Sequence, residues 1–359
     1  LKGSKKPPVS RRVRHSTGSA GKPTLRDVAT AAGVSITTAS NVVNKKYGSM
    51  SADTRRRIED VIADLKYRVN ISGRSLRSSR GSSVAFVALD DDVPFLRDPF
   101  TAETVSGFAN AISEKGFNPI VHRIDPSKID QHSLFRRDEV VGLCMSLQGW
   151  ARERQRAVDM VAALGLPIVI IDNTVPPKGD DICVVRQDDF GGAVMLANHV
   201  LQRGAKRILL VRPAVDWISM EEREAGMRTV FGSKAPGVQL DKIEIDHLSI
   251  AADVSLKLQA YLRQNGKPDA IMGGNDQIAA ACINLVKSMG MRVPEDLIVT
   301  GFNGFDVFDL LPYRITTVQS AAYDLGVRGA LELDYRIRTG HFRIPEIILS
   351  VSLRQGNTT

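Results

Sequence analysis

Cysteine is scarce in this chain. Cys144, Cys183 and Cys282 lie far apart, with no CxxC and no neighbouring pair of histidines. Such spacing supports neither a disulfide framework nor a zinc site, and isolated thiols of this kind are expected to be buried. No stretch approaches the run of about 20 apolar residues that spans a bilayer. The segment KKPPVSRRVRHSTGSAGK also has no apolar stretch like that of a secretion signal. A cytoplasmic location and no membrane partner are therefore expected. Absent too are a Walker loop and a GxGxxG turn, so a dehydrogenase or nucleotide-hydrolysing reading lacks its phosphate cradle. Asp90, Asp91 and Asp92 could suggest a metal site, but three consecutive residues leaving a strand cannot all converge on one ion, and no His accompanies them. No catalytic residue, metal or cofactor is expected.

Positive charge is present and unevenly placed. Residues 1–80 hold 18 Lys and Arg against 5 Asp and Glu, net +13, whereas the whole chain is +8, so residues 81–359 are net −5. One small end is the polyanion-binding part. Residues 1–22 contain seven Lys and Arg and no acid among Pro, Ser and Gly, the composition of a disordered basic arm.

Residues 24–44, TLRDVATAAGVSITTASNVVN, read as two helices joined at Gly33. Thr24 with Asp27 forms a capping pair, and Leu25, Val28, Ala29 and Ala32 fall on one helical face. Gly33 can adopt the positive φ that stops this helix, and Ser35 can cap a second one whose Ala39, Val42 and Val43 face the first. Ile36, Thr37 and Asn41 are left on the outer face. In a helix-turn-helix the second helix enters the major groove, so these three are candidate base readers. A third helix begins at Ser51, with Ile58, Val61, Ile62 and Leu65 on one stripe and Arg55, Arg56 and Arg57 at a basic end. Residues 23–69 thus form an all-α module. The segment NISGRSLRSSRG follows, with Arg74, Arg77 and Arg80 around Leu76 in its middle, and residues 70–82 form a linker.

From Val84 short β-branched runs alternate with amphipathic helices: VAFVAL, NPIVH, VVGLCM and LPIVII, then ICVV, RILLV, DAIM and LIVTGF. This alternation predicts parallel sheets covered on both faces. Two successive sets imply two lobes over residues 83–359, the first about 83–181 and the second from 182. Ligands of such sheets bind beyond the C-terminal strand ends, which here collects the loops 90–101, 172–174, 212–219, 273–276 and 302–305.

The order TLRDVATAAGVS, YRVNISGRSLR, DPFTAETVSGF, VRQDDFGGAV, RGAKRILLV, REAGMR, GGNDQIAAA, MRVPEDLIVTGFN and YRITTVQS resembles the LacI/GalR family of bacterial transcription regulators over about residues 23–357. The resemblance implies an N-terminal helix-turn-helix module, a hinge helix, and an α/β two-lobed domain like that of periplasmic sugar-binding proteins. It implies that the lobes are crossed three times, with 320–341 returning to the first lobe and 342–359, including EIILSVSLR, to the second. Partners implied are a pseudo-palindromic double-stranded operator, a second copy in a homodimer, and a small-molecule effector such as a sugar. Repression is the expected sense. Base readout falls to Ile36, Thr37 and Asn41; Asn stands where relatives often have Arg, and Asn suits adenine. Phosphate and hinge contacts fall to Ser35, Arg55, Arg74, Leu76 and Arg77, with Leu76 a minor-groove wedge. Effector contacts fall to Phe100, Thr101, Trp217, Ser219, Arg223, Met272, Asp276 and Asn303, the last replacing an Asp frequent in relatives. A solute-binding protein without a regulatory role is the alternative, and the basic 80-residue end argues against it.

Overall fold

The computed structural model describes residues 23–43, 47, 48, 50–65, 67, 83–90, 94–131, 140–148, 150–172, 181–234 and 237–359. The arm 1–22 and the expected hinge contacts Arg74, Leu76 and Arg77 lie outside the described residues. The chain divides into two compact units, residues 1–70 and 71–359.

In the first unit, helices α1 (Leu25–Ala31), α2 (Ile36–Val43) and α3 (Ala52–Asp64) enclose a small core. The Thr24 hydroxyl accepts from the Asp27 amide, and the Asp27 carboxylate accepts from the Thr24 amide at 2.8 Å, closing a reciprocal cap. Gly33 turns the chain at φ 64°. The Ser35 hydroxyl then accepts from the Thr38 amide at 3.0 Å and starts α2. Val28, Ala29, Ala32, Ala39, Val42 and Ile58 are buried together. Alanine at 29, 32 and 39 keeps the helices close, as helical periodicity requires.

In the second unit, strands β1 (Ser83–Leu89), β2 (Asn118–Ile124), β3 (Val140–Leu147), β4 (Ile168–Ile171), β5 (Ile182–Gln187) and β11 (Glu346–Leu349) form a parallel sheet in the order β2-β1-β3-β4-β5-β11. The period of two is visible in β1. Val84, Phe86 and Ala88 face α4 (Pro99–Glu114) and α10 (Ala322–Thr339), while Ala85, Val87 and Leu89 face α5 (Ala151–Ala162). The other lobe has β6 (Arg207–Pro213), β7 (Gln239–Ile245), β8 (Ala270–Gly273) and β9 (Ile298–Thr300) in the parallel order β7-β6-β8-β9. Helices α6 (Asp189–Gln202) and α7 (Ile218–Lys234) cover one face, α8 (Ile250–Asn265) and α9 (Asp276–Ser288) the other. β10 (Thr317–Gln319) bridges to this sheet and pairs antiparallel with β12 (Ser352–Arg354).

Two expectations about the lobes are corrected. ICVV belongs to the first sheet, not the second, because Ile182–Val185 pairs in register with Ile168–Ile171. The boundary therefore falls near Asp188. EIILSVSLR is also split: Glu346–Leu349 pairs with β5 in the first sheet, and Ser352–Arg354 joins β10 in the second. The three crossings are thus near 188, 320 and 350, and α10 returns to the first lobe as expected, packed on α4.

No helix among the described residues is long and apolar enough to cross a membrane. All three cysteines are buried and unpaired by disulfides, and burial pushes their thiols up, Cys183 and Cys282 to about 12.

Candidate functional site: a helix face and an interlobe cleft

On the first unit Ser35, Ile36 and Thr37 are exposed, and Asn41, one turn further, is half-buried. Ala39 and Val42 anchor the opposite face of α2. Arg55 does not stand free for phosphate: its Nε donates to Glu59 at 2.7 Å and its guanidinium lies 3.8 Å from the Tyr47 ring centroid. An approaching phosphate would compete only with a solvent-screened i,i+4 pair.

On the second unit the C-terminal strand ends surround a cleft of about 530 Å³ between the lobes. Of the eight residues expected to contact an effector, Phe100, Trp217, Ser219, Arg223 and Asn303 line it. The other three expected residues do not. Thr101 is turned inward, its hydroxyl donating to Asp98 at 2.8 Å as part of the cap of α4. Met272 is fully buried between α6, α7 and the sheet, on the face of β8 opposite to Ile271. Asp276 turns back from the start of α9 to accept from the Gly304 amide and the Thr317 hydroxyl, and burial lifts its carboxyl to about 6. Its neighbours Asn275 and Gln277 reach the cleft instead.

Arg223 sits at the floor with 4% of its surface exposed. Its Nε donates to Asp189 Oδ1 at 2.7 Å, Nη1 to the Gly274 carbonyl at 2.7 Å and Nη2 to Asn303 Oδ1 at 3.2 Å. The guanidinium also stacks 3.7 Å over the Phe302 ring. The adjacent glutamates serve other arginines: Glu221 and Glu224 bind Arg212, and Glu222 binds Arg186 of β5. Asn303 presents its amide from a left-handed backbone, φ 111°, that few side chains adopt.

Three carboxyls crowd this cation. Burial and then Asp189 push Asp172 well above the usual carboxylate range. Burial raises Asp189 as well, opposed by Arg223. Asp98 is raised by burial against the amides and hydroxyl it caps. Neither Asp98 nor Asp172 was singled out in sequence, although both carry a signal. Asp98 precedes a proline at a helix start, and Asp172 ends the apolar run LPIVII.

The lobes also touch across the cleft mouth. The Ala151 amide at the start of α5 donates to Asp216 Oδ2 at 3.2 Å, and buried Arg154 donates to the Asp216 carbonyl. Trp150 and Trp217 flank this bridge, and His247 stands edge-on to Trp217 with ring centroids 5.3 Å apart. Among the described residues no group of three His, Cys, Asp or Glu could hold a metal ion.

Residues 24–70 match the family described as bacterial regulatory proteins, lacI family, and residues 197–359 match the periplasmic binding protein-like domain. The chain is 28% identical over 308 residues to the HTH-type transcriptional regulator DegA of Bacillus subtilis (strain 168), covering 85% of this chain and 88% of that one. It is 25% identical over 312 residues to the ribose operon repressor of Halalkalibacterium halodurans, covering 84% and 87%. Among solved structures, the transcriptional regulator CelR in complex with cellobiose superposes with a TM-score of 0.67 at 22% identity, over 94% of this chain and all of that one. A lac repressor dimer bound to operator and the anti-inducer ONPF superposes at 0.65 and 22% identity, over 94% and 99%.

Proposed function

Because the chain belongs to the lacI family of bacterial regulatory proteins, we propose that it is a cytoplasmic, homodimeric repressor whose affinity for a pseudo-palindromic operator is set by a small effector, a sugar or related metabolite, held between its lobes. The observation that carries the reading is the two-sidedness of α2. Ala39 and Val42 lock one face into the core, and Ile36 and Thr37 stand open on the other with Asn41 beside them. That face has the size and chemistry to meet base edges in a major groove. Two copies related by a two-fold axis would read two half-sites. The match of residues 24–70 to a DNA-binding family argues against a solute-binding protein without a regulatory role. The cleft is read as a binding site: Phe100, Trp217, Ser219, Arg223 and Asn303, joined by Asn275 and Gln277, offer walls and hydrogen bonds.

The test is a salt titration on duplex DNA. The full chain should bind with an affinity that falls steeply as salt rises, because several phosphates are neutralised and counterions released. Residues 83–359, net negative, should not bind measurably under the same conditions. Equal binding by that fragment would overturn the assignment.

A further inference from the structure

The fastening of the two lobes bears on how the cleft opens, and this inference rests on the reading of the cleft as an effector site. The crossings gather at the edge of the first sheet made by β5 and β11. Gln187, the fully buried last residue of β5, ties two of them together. Its Oε1 accepts from the Ser320 hydroxyl at 2.8 Å and the Ala321 amide at 3.1 Å, while its Nε2 donates to Asp189 Oδ1 at 3.1 Å. That edge is the pivot. The ion pair of Arg186 with Glu222, one residue away in β5, joins the lobes at the pivot itself, where a rotation moves atoms least.

The contact between α5 and Asp216 lies elsewhere. It joins the loop after β3 to the loop after β6, two strands from β5 in the first sheet and three from β10 in the second. At the usual spacing of neighbouring strands this is about 10 Å or more from the pivot, so opening of the lobes must part it. Trp150 holds the N-cap position of α5 without a side-chain bond to the helix, and the first amides of a helix need an acceptor from outside it. Asp216 supplies one from the other lobe. Its carboxylate accepts from the Ala151 amide at 3.2 Å, at the positive end of the helix dipole. Arg154, one turn on, grips the same residue: it donates to the Asp216 carbonyl, and its Nη2 stands 3.9 Å from the carboxylate. Arg154 is buried, and burial lowers its pKa against the pull of Asp216 and Glu221. Keeping a guanidinium from water offsets part of that attraction, so the contact can release. Every group in it belongs to the chain. We propose that Asp216 and the first turn of α5 form an interlobe latch that holds the cleft mouth shut by protein contacts alone and must release before an effector enters or leaves.

Pulsed electron paramagnetic resonance across the cleft tests this in the full chain. Spin labels on Arg152→Cys in α5 and Leu256→Cys in α8, both exposed positions, report the separation of the lobes. Dilution with unlabelled chain restricts the signal to distances within one copy. Cys144, Cys183 and Cys282 are buried and should take no label in the chain that lacks the two added cysteines. The parent should show a single distance. Asp216→Ala and Arg154→Leu should each add a longer one, its share rising at least about fivefold over the parent. The double variant should open little further than the stronger single one, because both substitutions act on one contact. Circular dichroism and salt-dependent binding to duplex DNA check that each variant is folded. Should Arg154→Leu fail to fold, Asp216→Ala decides, since the Asp216 side chain is 35% exposed. Glu222→Gln, at the pivot, should leave the distance unchanged. An unaltered distribution in Asp216→Ala, or equal opening by Glu222→Gln, would overturn the latch. The measurement uses no ligand, so a failed latch leaves the effector reading standing, and a cleft that binds no small molecule leaves the latch result as it is.

Discussion

Arg223 donates to Asp189 at 2.7 Å with 4% and 1% of the two residues exposed, fixing α7 to the first turn of α6 just beyond a crossing between the lobes. The same guanidinium holds the loops after β8 and β9 through Gly274 and Asn303. Arg223 is therefore as much a keystone of the cleft floor as a group presented to a ligand.

The first prediction follows from that position. Arg223→Ala leaves Asp189 and Asp172 buried beside each other with no cation, and breaking a buried pair by removing one partner costs about 3–5 kcal/mol. Urea unfolding of the full chain should show a loss of that order. Arg223→Lys should recover only part of it, since a single ammonium cannot reproduce the three-way contact. A loss below about 1 kcal/mol for the alanine variant would make the contact a surface-like pair.

Asp276 supplies a prediction with a definite sign. Its carboxyl is raised from 3.8 to about 6 in the folded chain, so the folded state holds the proton more tightly. The resulting stabilisation is fully present below about pH 4 and is lost as pH rises through about 6, amounting to about 3 kcal/mol. Asp276→Asn removes the titration. The unfolding free energy of the parent relative to this variant should therefore fall by about 3 kcal/mol between about pH 4 and about pH 7.5. A pH-independent difference would mean that the carboxyl is not held protonated by its burial.

Packing of α10 on α4 gives a third. A Cβ at Gly326 would lie 2.0 Å from the Thr104 carbonyl oxygen and 2.6 Å from the Phe108 nitrogen, both backbone atoms. Ala gains about 1 kcal/mol over Gly in a helix, but overpacking costs about 1–3 kcal/mol or more, and backbone cannot move aside as a side chain can. Gly326→Ala should lower the unfolding midpoint. Gly232→Ala, in α7 with nothing within 4 Å, should raise it slightly. Stabilisation by both would show that the helices separate without cost.

Several of these features were legible in the sequence because they rest on local rules. The Thr24 and Asp27 cap, the Gly33 turn, and the division of α2 into Ala39 and Val42 inside against Ile36 and Thr37 outside all follow from spacing and side-chain chemistry. The alternation of strands and helices, and the strand ends that would gather the cleft, were equally visible. Sheet membership was not: ICVV is as apolar as LPIVII, and only its pairing with Ile168–Ile171 shows which lobe it joins. Nor was side-chain direction at a helix start. Asn275 and Asp276 are neighbours, yet the first reaches the cleft while the second turns to Gly304 and Thr317. Met272 was misplaced for a similar reason, since its face of β8 depends on register. Arg223 lies in the cleft, but its partner Asp189 is 34 positions away in sequence, a separation that no local pattern reveals.

The central claim is that α2 reads base edges, and binding-site selection from a random duplex pool tests it most directly. The full chain should enrich a two-fold symmetric site. Asn41→Ala should bind that site more weakly by about 1–3 kcal/mol and lose preference at one base pair in each half, with the other positions unchanged. Enrichment of the same site with the same preferences by parent and Asn41→Ala alike would contradict the assignment of this helix face to base readout.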